Sequence, residues 1–209
     1  MTATRLPRMI ERSQSRSWNA GSGGAIWSVM STDLSPSDVV RFWKDAGPSK
    51  WFAKDDAFDA LFRERFEHGH MTAARRALDH WAETPEGSLA LLILLDQFPR
   101  NAFRGTAHQF ATDGLGLMFA RRAFELGWPG TFEPDLRQFF MTPFEHSEDL
   151  ADHDDLIPLI GELPEVEKFA VIHRDIIMRF GRFPHRNKVL GRQTSAAEQA
   201  FLDQGGFSG

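Results

Sequence analysis

The sequence has no cysteine and no tyrosine. The first absence excludes disulfides, a thiolate nucleophile and thiolate-ligated zinc. The second removes phenol chemistry and leaves aromatic bulk to 19 Phe and 6 Trp. A basic excess is missing too: 24 Lys and Arg stand against 29 Asp and Glu, a formal net charge of -5. That argues against a general nucleic-acid binder, which needs a basic footprint. No apolar run approaches the roughly 20 residues that span a bilayer, so no membrane association is expected. The longest run, LALLILL at 89–95, suits a buried helix. There is no Gly-x-Ser-x-Gly elbow, P-loop or dinucleotide fingerprint, and no cofactor is expected. Alternating strand patterns are also lacking, which points to an all-α chain.

What is present is helix punctuation. At 209 residues the chain can bury one sizeable core, and residues 31–209 read as a single all-α domain. Residues 1–30 read as a flexible extension. Arg5, Arg8, Arg12 and Arg16 precede no apolar segment of a secretory signal, and NAGSGG at 19–24 has linker composition. The Arg- and Ser-rich stretch also resembles a transit peptide, yet Met30 is the expected start of the organised chain. A cytoplasmic location is expected.

Ser35 and Pro36 open a helix that runs through Trp43 and stops at Gly47-Pro48. From Asp56, Phe58, Leu61, Phe62 and Phe66 fall at helical spacing, and a second set from Ala73 to Trp81 follows HGH. Thr84-Pro85 launches the apolar helix ending near Gln97. A long helix is expected over 107–125, with shorter ones over 134–141 and from Ser147 to Pro158. PEVEKFAVIHRDIIMRFGR carries Val166, Phe169, Ala170, His173, Ile176, Ile177 and Phe180 on one face and stops at Gly181. Ser195 and Glu198 make a capping box for a last helix. The total is about nine helices, with Trp43, Trp51 and Trp81 in the core.

Helix pairs with short turns suit a bundle or a stacked repeat, and pattern alone does not choose. KWFAKDDAFDALFRERF, TPEGSLALLILLDQFPRNAFRGT, FATD, PFEHSEDL and HRDIIMRFGRFPHRNKVLGR together resemble one uncharacterised bacterial family, catalogued as domain of unknown function nine-two-four. The resemblance runs from about Pro36 to Leu202. It implies stacked antiparallel helix pairs in a tetratricopeptide-like right-handed superhelix, and it implies no reaction, ligand or catalytic residue. Met141-Thr142 departs from it, standing where an aromatic and an aliphatic residue are expected. The first thirty residues lie outside it.

Two similar turns, DQFPRNAFRG and GRFPHRN, follow apolar helices. A residue before proline is pushed out of helical geometry, so Phe98 and Phe183 are expected to end their helices. On one reading, Arg100, Arg186 and the Asn side chains merely cap orphan carbonyls. On the other, Arg100, Asn101, Arg104, Arg182, His185, Arg186 and Asn187 also converge on a pocket for an anionic small molecule or an acidic peptide segment.

His173, on an apolar face, is either a satisfied core histidine or half of an acid/base unit with Glu145 or Asp149. In EHSEDLADHDD, Asp149 and His153 share helical spacing suited to a metal, but a solvated acidic face or pairing with the basic turns explains the run more simply. HRD at 173–175 lacks the Asn of a kinase loop and lies within a helix. His153-Asp154 is a weak echo of helical metal phosphohydrolases, and Ser147 beside His146 is a poor nucleophile. The leading reading is therefore a helical-repeat protein that binds an anion at the two turns. The alternative is a hydrolase-type enzyme with His173 or His146 as base, oriented by Glu145, Asp149 or Asp175.

Overall fold

The computed structural model describes residues 34–161 and 163–207. The expected flexible extension over residues 1–30, with Met30 as a start, lies outside the described residues. Eleven α-helical segments and no strands occur among the described residues: α1 (Pro36–Ala46), α2 (Pro48–Trp51), α3 (Asp56–Ala74), α4 (Pro85–Leu92), α5 (Phe98–Ala102), α6 (Asp113–Glu125), α7 (Pro134–Arg137), α8 (Thr142–Glu145), α9 (Leu150–Leu156), α10 (Pro164–Phe180) and α11 (Ala196–Asp203). No helix among them is long and apolar enough to cross a membrane.

The caps follow the sequence chemistry. Ser35–Asp38 and Ser195–Glu198 both form capping boxes. The side chains of Asp55, Thr84 and Asp149 accept first-turn N–H groups of α3, α4 and α9. Each cap satisfies donors that the helix itself cannot pair. α4 lies at the centre, packed against α1 and α6, while α3 packs against α5. Leu89 to Leu95 are completely buried. Around them Phe42, Trp43, Phe58, Phe62, Phe98 and Phe139 form one aromatic cluster. Trp51 joins it and donates its indole N–H to the Trp43 carbonyl at 2.7 Å.

Three expectations are corrected. HGH does not separate two helices: α3 runs through it, and the chain then turns at Arg75 into a 3-10 turn over Asp79–Glu83. A 3-10 turn at Ala107–Phe110 precedes α6, so the expected helix over 107–125 is split. Most informative, Phe98 does not stop its helix. Its backbone is helical (φ -52°, ψ -48°), and the chain continues through Pro99 into α5.

A π-helical turn at Ile93–Gln97 makes that possible. Phe98 N–H reaches back to the Ile93 carbonyl, leaving the Leu94 carbonyl without its usual partner. Pro99 has no N–H for Leu95. Side chains from elsewhere take both carbonyls: His70 Nδ1 donates to Leu94 O at 2.8 Å, and Thr112 Oγ1 to Leu95 O at 2.5 Å. The second turn is a true stop. Gly181 is left-handed (φ 66°) and caps α10, and Phe183 is extended before Pro184.

Close packing at Gly87 offers a test. A Cβ there would sit 2.0 Å from the Trp81 carbonyl oxygen, whereas one at Gly114 meets nothing within 4 Å. Gly87→Ala should cost about 2–3 kcal/mol in urea denaturation. Gly114→Ala should be neutral or stabilise by up to about 1 kcal/mol. Equal effects at the two sites would remove the packing account.

Candidate functional site

The extra backbone turn and the α10 stop face one cavity of about 730 Å³. Its apolar and aromatic lining comprises Trp51, Phe52, Phe110, Leu163, Phe169 and Phe207. Its polar lining includes Gln97, Arg100, Thr142, Glu145 and His146, joined by His173, His185 and Arg186. Phe169, expected on the buried face of α10, is 42% exposed and borders this space.

Behind the lining residues Gln97, Arg100, Thr142 and His146 sits Asp96, fully buried. Its Oδ1 accepts from His146 Nδ1 at 2.7 Å and lies 3.2 Å from Arg100 Nη1. Its Oδ2 accepts from Gln97 Nε2 at 2.7 Å and Thr142 Oγ1 at 3.2 Å. Burial opposes the charge, but Arg100 and then His146 outweigh it and hold the carboxyl well below its ordinary range. Arg100 continues the network with a two-pronged pair to Asp113 at 2.9 and 3.0 Å. His146 is pushed down to about 4, first by burial and then by the Arg100 charge.

Arg186 differs from Arg100. Its guanidinium is held between the rings of Phe110 and Phe183, 4.5 and 4.4 Å from their centroids. Among the described residues its one ion pair is to Asp113, already occupied by Arg100, at 3.3 Å, and its buried Nε has no partner. Burial and the neighbouring Arg100 lower it to about 10. His185 beside it is lowered to about 3, by burial and then by Arg186. His173 stands between Phe183 and Phe207, with Nδ1 3.4 Å from Glu145 Oε2. Among the described residues neither of its ring nitrogens finds a hydrogen-bond partner.

The structure thus brings Arg100, Asn101, Arg104, His185, Arg186, His146, His173 and Glu145 to one cavity. Asn101 and Arg104 are both engaged by Asp59, at 2.7 and 3.2 Å. Five candidates are elsewhere. Arg182 makes a two-pronged pair with Glu198 at 2.6 and 2.9 Å, and Asn187 Oδ1 accepts from Arg192 at 2.9 Å. Asp149 is the exposed cap of α9, and Asp175 is exposed on α10. His153 is buried against Phe183 with Nε2 2.9 Å from the Ser147 carbonyl, apart from Asp149 in role. No cluster of three or more metal-binding side chains exists among the described residues. The acidic run pairs largely with arginines outside the two turns, Arg121, Arg174 and Arg192.

Sequence reasoning missed Asp96, Asp113, Gln97 and Thr142. Asp96 had a signal: it is a single carboxylate directly after seven apolar residues, where an unpaired charge is untenable. Asp113 and Thr142 had none, because their partners lie far away in the chain.

Comparison with known proteins adds the following. A family model described as "Bacterial protein of unknown function (DUF924)" matches residues 39–206. Among solved structures, the chain is similar to one described as "Structure of Protein of Unknown Function ATU0120 from Agrobacterium tumefaciens". The identity is 50% and the TM-score 0.75, over 81% of this chain and 97% of that one. Comparison with the curated proteins gave no match.

The buried imidazoles make stability pH-dependent. His146 and His185 titrate in the fold at about 4 and about 3, below the ordinary imidazole value of about 6.5. The unfolded chain therefore binds protons first on acidification. Stability is full above about pH 6.5 and falls as pH drops toward 4. His70 and His153, shifted the same way by burial, add to the loss. His146 alone should account for roughly 2 kcal/mol between pH 7 and 5. Urea denaturation at both pH values measures this, and a fall of that part in His146→Gln assigns it.

Proposed function

The chain belongs to the DUF924 family of bacterial proteins of unknown function, and we propose that its cavity binds a small organic anion. A carboxylate or phosphate head would pair with Arg186, and an apolar or aromatic body would lie along Trp51, Phe110 and Phe207. The observation that carries this reading is the state of Arg186. A buried guanidinium that shares one carboxylate with another arginine, and whose Nε has no partner among the described residues, is an under-compensated cation. An anion gripped by its fork would supply the missing charge and acceptor. The cavity volume, within the usual range for small-molecule sites, favours such a ligand over a long acidic peptide. His185 Nδ1, buried and unbonded, offers a further polar contact.

Of the basic side chains foreseen at the two turns, Arg100 and Arg104 are held by Asp113 and Asp59 and serve as walls more than anchors. The proposal retains the tetratricopeptide-like stacking implied by the family resemblance, because helix pairs of that kind leave concave surfaces for ligands.

Thermal-shift measurements with phenylacetate, phenyl phosphate and uncharged phenylacetamide test this reading. At about 100 times its Kd, an anion should raise Tm by roughly 5–10 °C, and the amide should not. Arg186→Gln should abolish the shift. Arg182→Gln, which disturbs an ion pair outside the cavity, should keep it. Equal stabilisation by the amide, or a shift that persists in Arg186→Gln, would sink the anion assignment.

A further inference from the structure

Resting on that anion-binding reading, we propose that His146 is a general base that activates water to hydrolyse an ester or amide bond in the bound molecule. The first support is the tautomer. Asp96, paired with Arg100, is an acceptor only, so the 2.7 Å contact requires His146 Nδ1 to carry a proton. In the neutral ring the lone pair then lies on Nε2, which takes no hydrogen bond from the described residues and is not among the buried polar atoms. The second is rigidity. Gln97, Thr142 and Arg100 fill the other acceptor positions of Asp96, so the carboxylate cannot swing and the imidazole is held in one orientation.

The third support is position. A second cavity, of about 310 Å³, adjoins the first and shares His146, Phe110 and Arg186 with it. The base thus stands where two spaces meet, beside the guanidinium that would hold the substrate's anionic end. One space suits the substrate and the other its water or its departing half.

Water is the nucleophile because the side-chain alternatives are engaged or missing. Ser147 Oγ donates to Asp152, Thr142 Oγ1 donates to Asp96, and the sequence has no Cys or Tyr. In the reaction, water oxygen bonds to the acyl carbon as its proton passes to Nε2. The acyl C–O or C–N bond then breaks, and the same proton moves to the departing alcohol oxygen or amine nitrogen. An acid and an alcohol or amine result, and no oxidant or reductant is needed. His173 is not this base. It has no hydrogen bond to orient it, and its 3.4 Å approach to Glu145 leaves both nitrogens unbonded.

The probe is mono(4-nitrophenyl) glutarate, which joins a carboxylate to an activated ester. 4-Nitrophenolate release and thermal shift are followed on the full chain, with His146→Gln, Arg186→Gln and the exposed-site control His68→Gln. Wild type and His68→Gln should turn the ester over alike. His146→Gln should lose at least about 100-fold in kcat while keeping KM and the thermal shift. Arg186→Gln should lose the shift. Of the charged and titratable groups around the base, Asp96 and Asp113 favour its protonation, but burial and the Arg100 charge outweigh them and keep it unprotonated to about pH 4, with Arg186 and His185 also bordering the cavity. Wild-type kcat/KM should therefore be flat between pH 8 and 6.

A thermal shift without turnover would overturn the catalytic role and leave the anion site standing. Neither shift nor turnover would overturn both. Turnover that survives in His146→Gln also overturns the assignment. Should that variant not fold, a wild-type profile that falls through pH 6.5 would do so instead, as expected for an ordinary surface imidazole.

Discussion

A charged carboxylate with no exposure to water is the constraint around which the centre of this protein is organised. Asp96 lies in its most apolar segment, and burying an ion there is tolerable only with pairing and full hydrogen bonding. Four side chains provide that: Arg100 and Gln97 from its own helix, and Thr142 and His146 from the segment that packs on it. The requirement ties the π-helical turn that follows α4 to α8 and its C-cap His146 more specifically than apolar contact could. It also fixes the His146 ring and places Arg100 where it can neutralise Asp113.

The π-helical turn is the backbone side of the same constraint. Inserting one residue's worth of extra winding before Pro99 lets the helix pass a proline that would otherwise clash with the preceding turn. The cost is two freed carbonyls, and each is met by a side chain from another element, His70 and Thr112. The winding also rotates the polar residues 96–101 relative to the apolar run before them. Two turns that look alike in sequence therefore do different work. One carries the helix on and turns polar groups inward. The other stops α10 and holds Arg186 between two phenyl rings.

Charge is distributed by the same logic. Several arginines in or following the two turns have a dedicated carboxylate: Arg104 has Asp59, Arg182 has Glu198, Arg192 has Glu148. Such pairs hold the fold without offering spare charge to a ligand. Among the arginines that border the cavity Arg186 differs: it lies between two phenyl rings and shares Asp113 with Arg100. The protein's net negative charge does not contradict a local site for anions, since the field there is set by the nearest few groups in a medium that screens poorly.

Much of the architecture was legible in the chain itself. The all-α class, the Ser35, Thr84 and Ser195 caps, the Gly181 stop and the buried run at 89–95 are written in residues no more than four apart. Helix periodicity and capping depend on such short spacings. Part of the candidate site was legible too: Arg100, His185 and Arg186 stand in the two turns after apolar helices, His173 lies on an apolar helix face, and His146 lies in the acidic stretch, and all five line the cavity. What only the tertiary structure decided was which of them have partners. Asp113 lies 73 positions from Arg186, and Asp96 lies 50 from His146. Whether an arginine caps, pairs or stands ready for a ligand depends on the electrostatics and burial of groups brought together by folding, and no local pattern encodes that.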